Sequence, residues 1–336
     1  MKYVYSILVV LILALAVATL GPSLISAGDH SLALTYPVSQ MIAMRGVVAL
    51  VLGVLAIVIL IIAVIRFVML RRGLFLAILG VGLIAVAGGH YLILNDRGLD
   101  NPSALPPDYG VTHVSQGNGD VTVLSYNTLG SETSMSDLEP LVVDNGVDIV
   151  VLSETSEESA QQLAESLSGR GLSFAVYSSG ADPYNPEIES TSVLVASSLG
   201  EYRQGPSLDL TWGSVSLRAL GDGPDIIAVH PVAPVQDLQD AWREEITEVY
   251  GMCSSMDDAI MAGDFNSTVD HMHGTGASCT SALDGTIGGY GTWPTSFTGL
   301  LGSPIDNVFT DLDPTATAIV DVGDSDHRGI LVRLAR

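Results

Sequence analysis

Asp264 and Asn266, two residues apart in Gly263-Asp264-Phe265-Asn266, and the acid and imidazole of Ser325-Asp326-His327 offer carboxylate, amide and imidazole groups to one site. Such a set suits metal-assisted hydrolysis of a phosphate ester, which needs hard ligands for a cation, an acceptor for a water proton and donors for developing negative charge. Taken alone each fragment is ordinary, because Gly, Asp and Asn favour turns for backbone reasons. Their positions along the chain give them weight.

Ala259-Ile260-Met261-Ala262 is a short apolar run that reads as a buried strand, and Gly263 lets the chain turn or approach another group where that strand ends. Asp264 and Asn266 would project to one side if the backbone stays extended. Other apolar runs finish the same way. Residues 121–126 end at Asn127, 148–153 at Glu154 and 225–229 at His230, while Ile305-Asp306-Asn307-Val308-Phe309 precedes Ser325-Asp326-His327. Strand ends are where α/β proteins place ligand chemistry, since a rigid sheet positions residues that emerge into loops.

In this order the motifs resemble the endonuclease/exonuclease/phosphatase superfamily over about residues 119 to 335. The resemblance implies a four-layer α/β sandwich with two central mixed sheets, where residue pattern alone supports only α/β or α+β. It implies metal-site positions at Asn127, Glu154 and Asp326, and a phosphate-contacting histidine at His230 in Val229-His230-Pro231. Asp264 and Asn266 match the family's Gly-Asp-Phe-Asn pair, His327 matches its last histidine, and Asp306 matches the carboxylate that orients it. Thr292-Trp293-Pro294 and Thr268-Val269-Asp270-His271 also look like a bacterial membrane-attached branch. One departure stands out. Many relatives carry a basic residue soon after the metal-binding glutamate, whereas Thr155-Ser156-Glu157-Glu158 follows Glu154; Arg328 either restores some positive charge or is a solvated surface residue.

The chemistry accounts for these residue types. Glu154, with Asn127 and Asp326, supplies hard oxygen ligands of the kind that suit Mg²⁺ or Mn²⁺. Asp264 is expected at the attacking water, Asn266 and His230 at phosphate oxygens, and His327 at transition-state charge, with Asp306 fixing its tautomer. Sequence leaves open whether Asp264 or His327 takes the proton.

Composition narrows the substrate. Residues 101–336 contain 34 Asp plus Glu against 7 Arg and no Lys, a local charge of about −27. Nucleic-acid binding draws on Lys and Arg, so a small or membrane-borne phosphoester is favoured over duplex DNA. The alternatives are an extracellular nuclease with a locally basic cleft and a non-catalytic, membrane-tethered binding module on a degenerate fold. No protein partner is expected.

The first 94 residues are a different object. Residues 4–20, 47–70 and 74–94 are apolar stretches near bilayer-spanning length, read as three transmembrane helices that bring the lipid bilayer in as a partner. Lys2 flanks the first and Arg66, Arg71 and Arg72 mark the second junction, which puts those ends in the cytoplasm and the catalytic domain outside. An alternative for the first stretch is a signal peptide cut near Ser26-Ala27, which leaves the domain on the same side. Residues 95–118, rich in Pro and polar side chains, read as a linker to a catalytic domain over 119–336.

Within that domain residues 156–168 and 237–252 read as helices, and 193–196 and 208–220 as strands. Cys253 and Cys279 either form a disulfide around the Gly-Asp-Phe-Asn loop or remain two free thiols. His271 and His273, without an identified third ligand, read as a solvent-exposed loop pair. Trp293 reads as a packing residue or cleft wall.

Overall fold

Alternation of apolar side chains along each strand dictates two faces, and the chain buries both. The computed structural model describes residues 2–107, 120–180 and 185–336. In chain order the elements begin with α1 (Lys2–Ala18), β1 (Ser26–Ala27), β2 (His30–Ser31), α2 (Val38–Ala43), α3 (Arg45–Leu70) and α4 (Leu74–Arg97). The sandwich follows, with β3 (Val121–Asn127), α5 (Met135–Asn145), β4 (Ile149–Ser153), α6 (Glu157–Gly169), β5 (Phe174–Ser178), β6 (Thr191–Ala196), β7 (Tyr202–Gln204), β8 (Ser214–Ala219) and β9 (Asp225–Val229). It closes with α7 (Gln239–Cys253), β10 (Ala259–Asp264), α8 (Val269–Thr275), β11 (Asp306–Thr310), β12 (Asp313–Val320) and β13 (Gly329–Ala335).

Six strands form one sheet in the order β12-β13-β3-β4-β6-β5, and five form the other, β11-β10-β9-β8-β7. Both sheets are mixed: β3 with β4 and β9 with β10 run parallel, and their other neighbours antiparallel. In β3 and β4, Val121, Val123, Ile149 and Val151 meet Ile226, Ala228, Ile260 and Ala262 of the facing sheet. The alternate residues Leu124, Val150 and Leu152 pack outward under α5 and α6. Met261 and Phe309 of the second sheet pack under Trp242, Ile246 and Val249 of α7. Helix, sheet, sheet and helix thus make the expected layers. Ser156 caps α6 by accepting the Ser159 N–H.

Two helices, α3 and α4, are long and apolar enough to cross a membrane; the third expected span, α1, is a 17-residue helix and falls short of them. The pair turns large apolar side chains outward, among them Val54, Ile61, Val64 and Val81. The expected linker overlaps the end of α4. Beyond it, Asp100 N–H donates to the Thr286 carbonyl at 3.0 Å, Ile319 N–H donates to the Pro102 carbonyl at 2.8 Å, and Leu105 is buried, so residues 98–107 lie along the sandwich. The remainder of that linker, 108–118, falls outside the described residues. Residues 208–213 precede β8 and are not strand. Cys253, at the end of α7, is bonded to Cys279 with Cα atoms 5.9 Å apart, within the ordinary range for a bridge.

Candidate active site

Parallel pairing of β3 with β4 puts Asn127 opposite Ser153, so Asn127 and the next residue, Glu154, leave the six-stranded sheet side by side. Glu154 has φ +52°, a left-handed conformation uncommon for a side chain of its size. Across the sandwich, antiparallel pairing sets Asp264 of β10 directly against Asp306 of β11. Gly263 permits this: a Cβ there would lie 2.1 Å from the Val229 carbonyl oxygen, so only glycine lets β10 run this close to the end of β9 and to His230, which follows it. Asp326 and His327 come from the turn between β12 and β13, where Ser325 Oγ donates to the Asn127 carbonyl at 2.7 Å and accepts the His327 N–H.

These turns bring the side chains into one cluster, buried at Asn127, His230, Asp264, Asp306 and His327 and open to solvent at Asp326. Asn127 Nδ2 donates to Glu154 Oε1 at 3.0 Å and Asp264 Oδ2 at 3.1 Å, while its Oδ1 accepts the Leu129 N–H. His327 Nδ1 lies 3.0 Å from Asp306 Oδ2, and its Nε2 faces Asp264 Oδ2 at 3.6 Å and Asp326 Oδ1 at 3.9 Å. His230 Nε2 lies 3.7 Å from Asp264 Oδ2 and 4.0 Å from Glu154 Oε1, with Trp212 tilted against its ring. Asn266 stands slightly apart. Its backbone N–H donates to Asp264 Oδ1, and its side-chain amide donates to the Pro231 carbonyl.

Burial pushes the Asp264 carboxyl up to about 7, with nearby Asp306 adding to the shift and His327 opposing it. Burial alone would depress His327, but the charges of Asp306, Asp264 and Asp326 outweigh it and raise the imidazole to about 10. His230, fully enclosed, is lowered to about 3 by burial and then by the charge of His327, so it is neutral. Burial also raises Glu154 against the bond from Asn127. At neutral pH the proton between Asp264 and His327 therefore belongs to the imidazole.

Both ring nitrogens of His230, Oδ1 of Asp306 and Oδ1 of Asp326 are buried and lack hydrogen-bond partners. Buried polar atoms normally find partners, and a cluster of orphans at strand ends fits a bound ligand. Four carboxylates stand here against one imidazolium, and their oxygens are the donors a hard divalent cation takes. Asp264, Asp306 and His327 each offer a potential ligand atom, and these atoms lie mutually within 4.8 Å. The expected ligands Asn127, Glu154 and Asp326 line the same cluster: Asn127 Oδ1 accepts the Leu129 N–H with one of its two lone pairs, and Asp326 Oδ2 accepts the indole N–H of Trp293 at 2.8 Å.

Two residues read otherwise in the sequence take definite positions. Arg328 is neither a substrate contact nor a solvated side chain: it is buried and donates to the carbonyls of Gly291, Thr295 and Phe297. His271 is not on an exposed loop, since it is enclosed in α8, whereas its neighbour His273 is exposed. Sequence reasoning also missed the roles of Trp293 and Thr292. The Trp293 indole steers Asp326, and Thr292 Oγ1 accepts the backbone N–H groups of Ile305 and Asp306. The proximity of Thr292-Trp293-Pro294 to Asp306 was their only visible signal.

A family model described as the Endonuclease/Exonuclease/phosphatase family matches residues 124–327, which includes every residue of this cluster. Among solved structures, a humanized D. rerio TDP2 superposes with a TM-score of 0.50 at 17% identity, covering 65% of this chain and 99% of the other. An AP endonuclease from Archaeoglobus fulgidus gives 0.48 at 13% identity, covering 64% and 100%. At these identities the likeness is one of fold. No curated protein matches the chain.

Proposed function

Because the chain belongs to the endonuclease/exonuclease/phosphatase family, whose members are metal-dependent hydrolases of phosphate esters, we propose that it hydrolyses a phosphoester presented at a membrane surface. The observation that carries the hydrolytic reading is the buried set of Asp264, His327 and Asp306, with orphaned His230 beside it. In this assignment His327, held protonated by Asp306, neutralises charge developing on the phosphoryl group. Asp264, in its carboxylate form, orients the attacking water and accepts its proton. Neutral His230 donates one ring N–H to a phosphate oxygen, and the Asn266 loop walls the same side. Glu154 and Asp326, with Asn127 aligning the carboxylates, would hold the divalent cation, Mg²⁺ or Mn²⁺, which when bound supplies Lewis-acid neutralisation of phosphoryl oxygens.

The membrane part of the proposal has separate support. The loops that carry His230, Asp264 and Asp306 are the ones that touch the N-terminal segment. Gln239 Nε2 donates to the Leu34 carbonyl, His271 Nε2 donates to the Ser39 carbonyl, and the Leu300 carbonyl lies against Gly46 in the first turn of α3. The 294–302 loop begins beside Asp326 and exposes Phe297 (42%) and Leu300 (40%) next to that turn. With α3 and α4 in a bilayer, the site would open at its surface, on the extracytoplasmic side that the arginines of the α3–α4 junction and the Cys253–Cys279 bridge favour.

The test is turnover by the full chain in lipid nanodiscs with Mg²⁺ or Mn²⁺, comparing phospholipid, a soluble phosphoester, RNA and duplex DNA, with Asp264→Ala as control. Metal-dependent cleavage of lipid but not DNA is expected. Efficient DNA cleavage lost in the variant would replace the reading with a nuclease.

A further inference from the structure

Six residues beyond Asp264 a second buried aspartate does something different. Asp270, in the first turn of α8, accepts Arg45 Nε at 2.7 Å and Nη2 at 2.6 Å, and Arg97 Nη1 at 2.8 Å and Nη2 at 2.9 Å. Both carboxylate oxygens are therefore gripped by planar guanidinium forks, the strongest geometry available to an ion pair. The two arginines belong to the first turn of α3 and the last turn of α4. Arg45 is also bonded to the Leu20 carbonyl at 3.1 Å and to His90 Nδ1 at 3.0 Å, and His90 Nε2 donates to Thr19 Oγ1, so the end of α1 joins the same knot.

The next residue is fixed as well. His271 Nδ1 accepts the Thr268 N–H at 2.8 Å, closing a capping box, and its Nε2 donates to the Ser39 carbonyl at 3.0 Å. Between this anchor and the end of β10 lie only residues 265–269, and within them Asn266 adopts φ +43°. A short stretch in a sparsely populated backbone state persists when both ends are fixed. One end is the sheet and the other is Asp270.

We propose that Asp270 is a positioning residue: the α3 and α4 arginines, through Asp270, hold the Asp264–Asn266 loop in its reactive shape, so the apolar helices complete the active site as well as carry it. The inference rests on assigning Asp264 and Asn266 to that site. The sandwich holds the near end of the loop, where Trp242 Nε1 donates to the Asn266 carbonyl and Asn266 Nδ2 to the Pro231 carbonyl; Arg45 and Arg97 stand 225 and 173 residues from Asp270, so the far end is tied down only when helices and sandwich are docked.

The test uses the full chain in nanodiscs and two variants, Asp270→Asn and the milder Arg97→Gln, which keeps the Arg45 fork. Two quantities are read well below each protein's melting midpoint: kcat with KM, and hydrogen exchange of the backbone amides of residues 265–269. The expected result is a kcat drop of tenfold or more with KM within twofold, and exchange at 265–269 accelerated tenfold or more, in Asp270→Asn, with smaller shifts of both in Arg97→Gln. Unchanged exchange at 265–269 in both variants would overturn the proposal and leave the cluster as a fastener alone. A kcat loss that tracks a lowered midpoint, with exchange accelerated uniformly through the sandwich, would overturn it too. If the wild type turns over no phosphoester, the hydrolytic reading fails, while local loss of protection at 265–269 would still uphold the positioning.

Discussion

Asp264 and Asp270 are both buried, lie six residues apart, and have opposite electrostatics. Burial would raise either carboxyl. At Asp270 two arginines overwhelm that effect and hold the group well below the usual carboxylate range. At Asp264 no guanidinium is bonded, the neighbours are an amide, an imidazole and other acids, and the group rises to about 7. A fully satisfied carboxylate is a strut. One left with spare affinity for protons and cations is a reagent, and the difference lies in which donors the fold brings to it.

The largest expected effect separates the two by function. Asp264→Ala should lower turnover by about 10²- to 10⁴-fold, the usual worth of a positioned general base, while leaving the thermal midpoint at or above that of the wild type. A kinetic assay paired with a melt in chelator reads both. A variant that melts lower and still turns over would make Asp264 the strut. Next comes the reverse case. Asp270→Asn leaves two buried guanidiniums against one neutral amide and should destabilise the docked chain by about 3–5 kcal/mol, read from the unfolding midpoint. No change in midpoint would mean the arginines are better solvated than their burial shows.

A third and smaller effect tests whether satisfaction can be tuned within the site. Trp293→Phe removes the only donor bonded to Asp326 Oδ2 among the described residues. Support of this kind around metal ligands is worth about 10- to 100-fold in metal affinity or activity, so the metal concentration for half-maximal turnover should rise by that factor. An unshifted metal requirement would remove Asp326 from the cation's coordination.

The reagent was more legible in the sequence than the strut. Short apolar runs that end in Asn127, Glu154, His230 and Asp264 declare their chemistry locally, because a strand end and its side chain are neighbours in sequence. Helices α6 and α7 were legible from a serine cap and an apolar stripe. Helix α5 was not, since Pro140 interrupts it, although Ser134 and Asp137 form its capping box. The Asp270 knot depends on pairings across most of the chain, which no window of residues contains. A partial signal existed: Arg45 and Arg97 sit at the ends of their apolar stretches away from Arg66, Arg71 and Arg72, two charges beside long apolar runs. Likewise, His271 reads as exposed for want of a third metal ligand, and the Trp242 ring and the Ser39 carbonyl, both distant in sequence, enclose it.

Asp148 provides the intermediate case and the smallest effect. It is buried just before β4, with Oδ2 accepting a single hydrogen bond from the Thr122 N–H at 3.0 Å, far in the sheet from Glu154 at the other end of the strand. Burial pushes its carboxyl up to about 7, while the Thr122 bond and the charge of Arg333 pull it back only in part. A folded pKa above the unfolded value means that this group's contribution to stability is fully present below about pH 4 and is lost as pH rises through about 7. Asp148→Asn keeps an oxygen for Thr122 and removes the charge. The variant should therefore match the wild type near pH 4 and exceed it by about 1–2 kcal/mol at pH 8. Asp264 titrates over the same range, but it is common to both proteins and drops out of their difference. A stability difference that stays flat between pH 4 and pH 8 would show that one backbone donor satisfies a buried carboxylate, and the contrast between Asp264 and Asp270 would then have to rest on the acidic neighbours of Asp264 instead of on its lack of a charged donor.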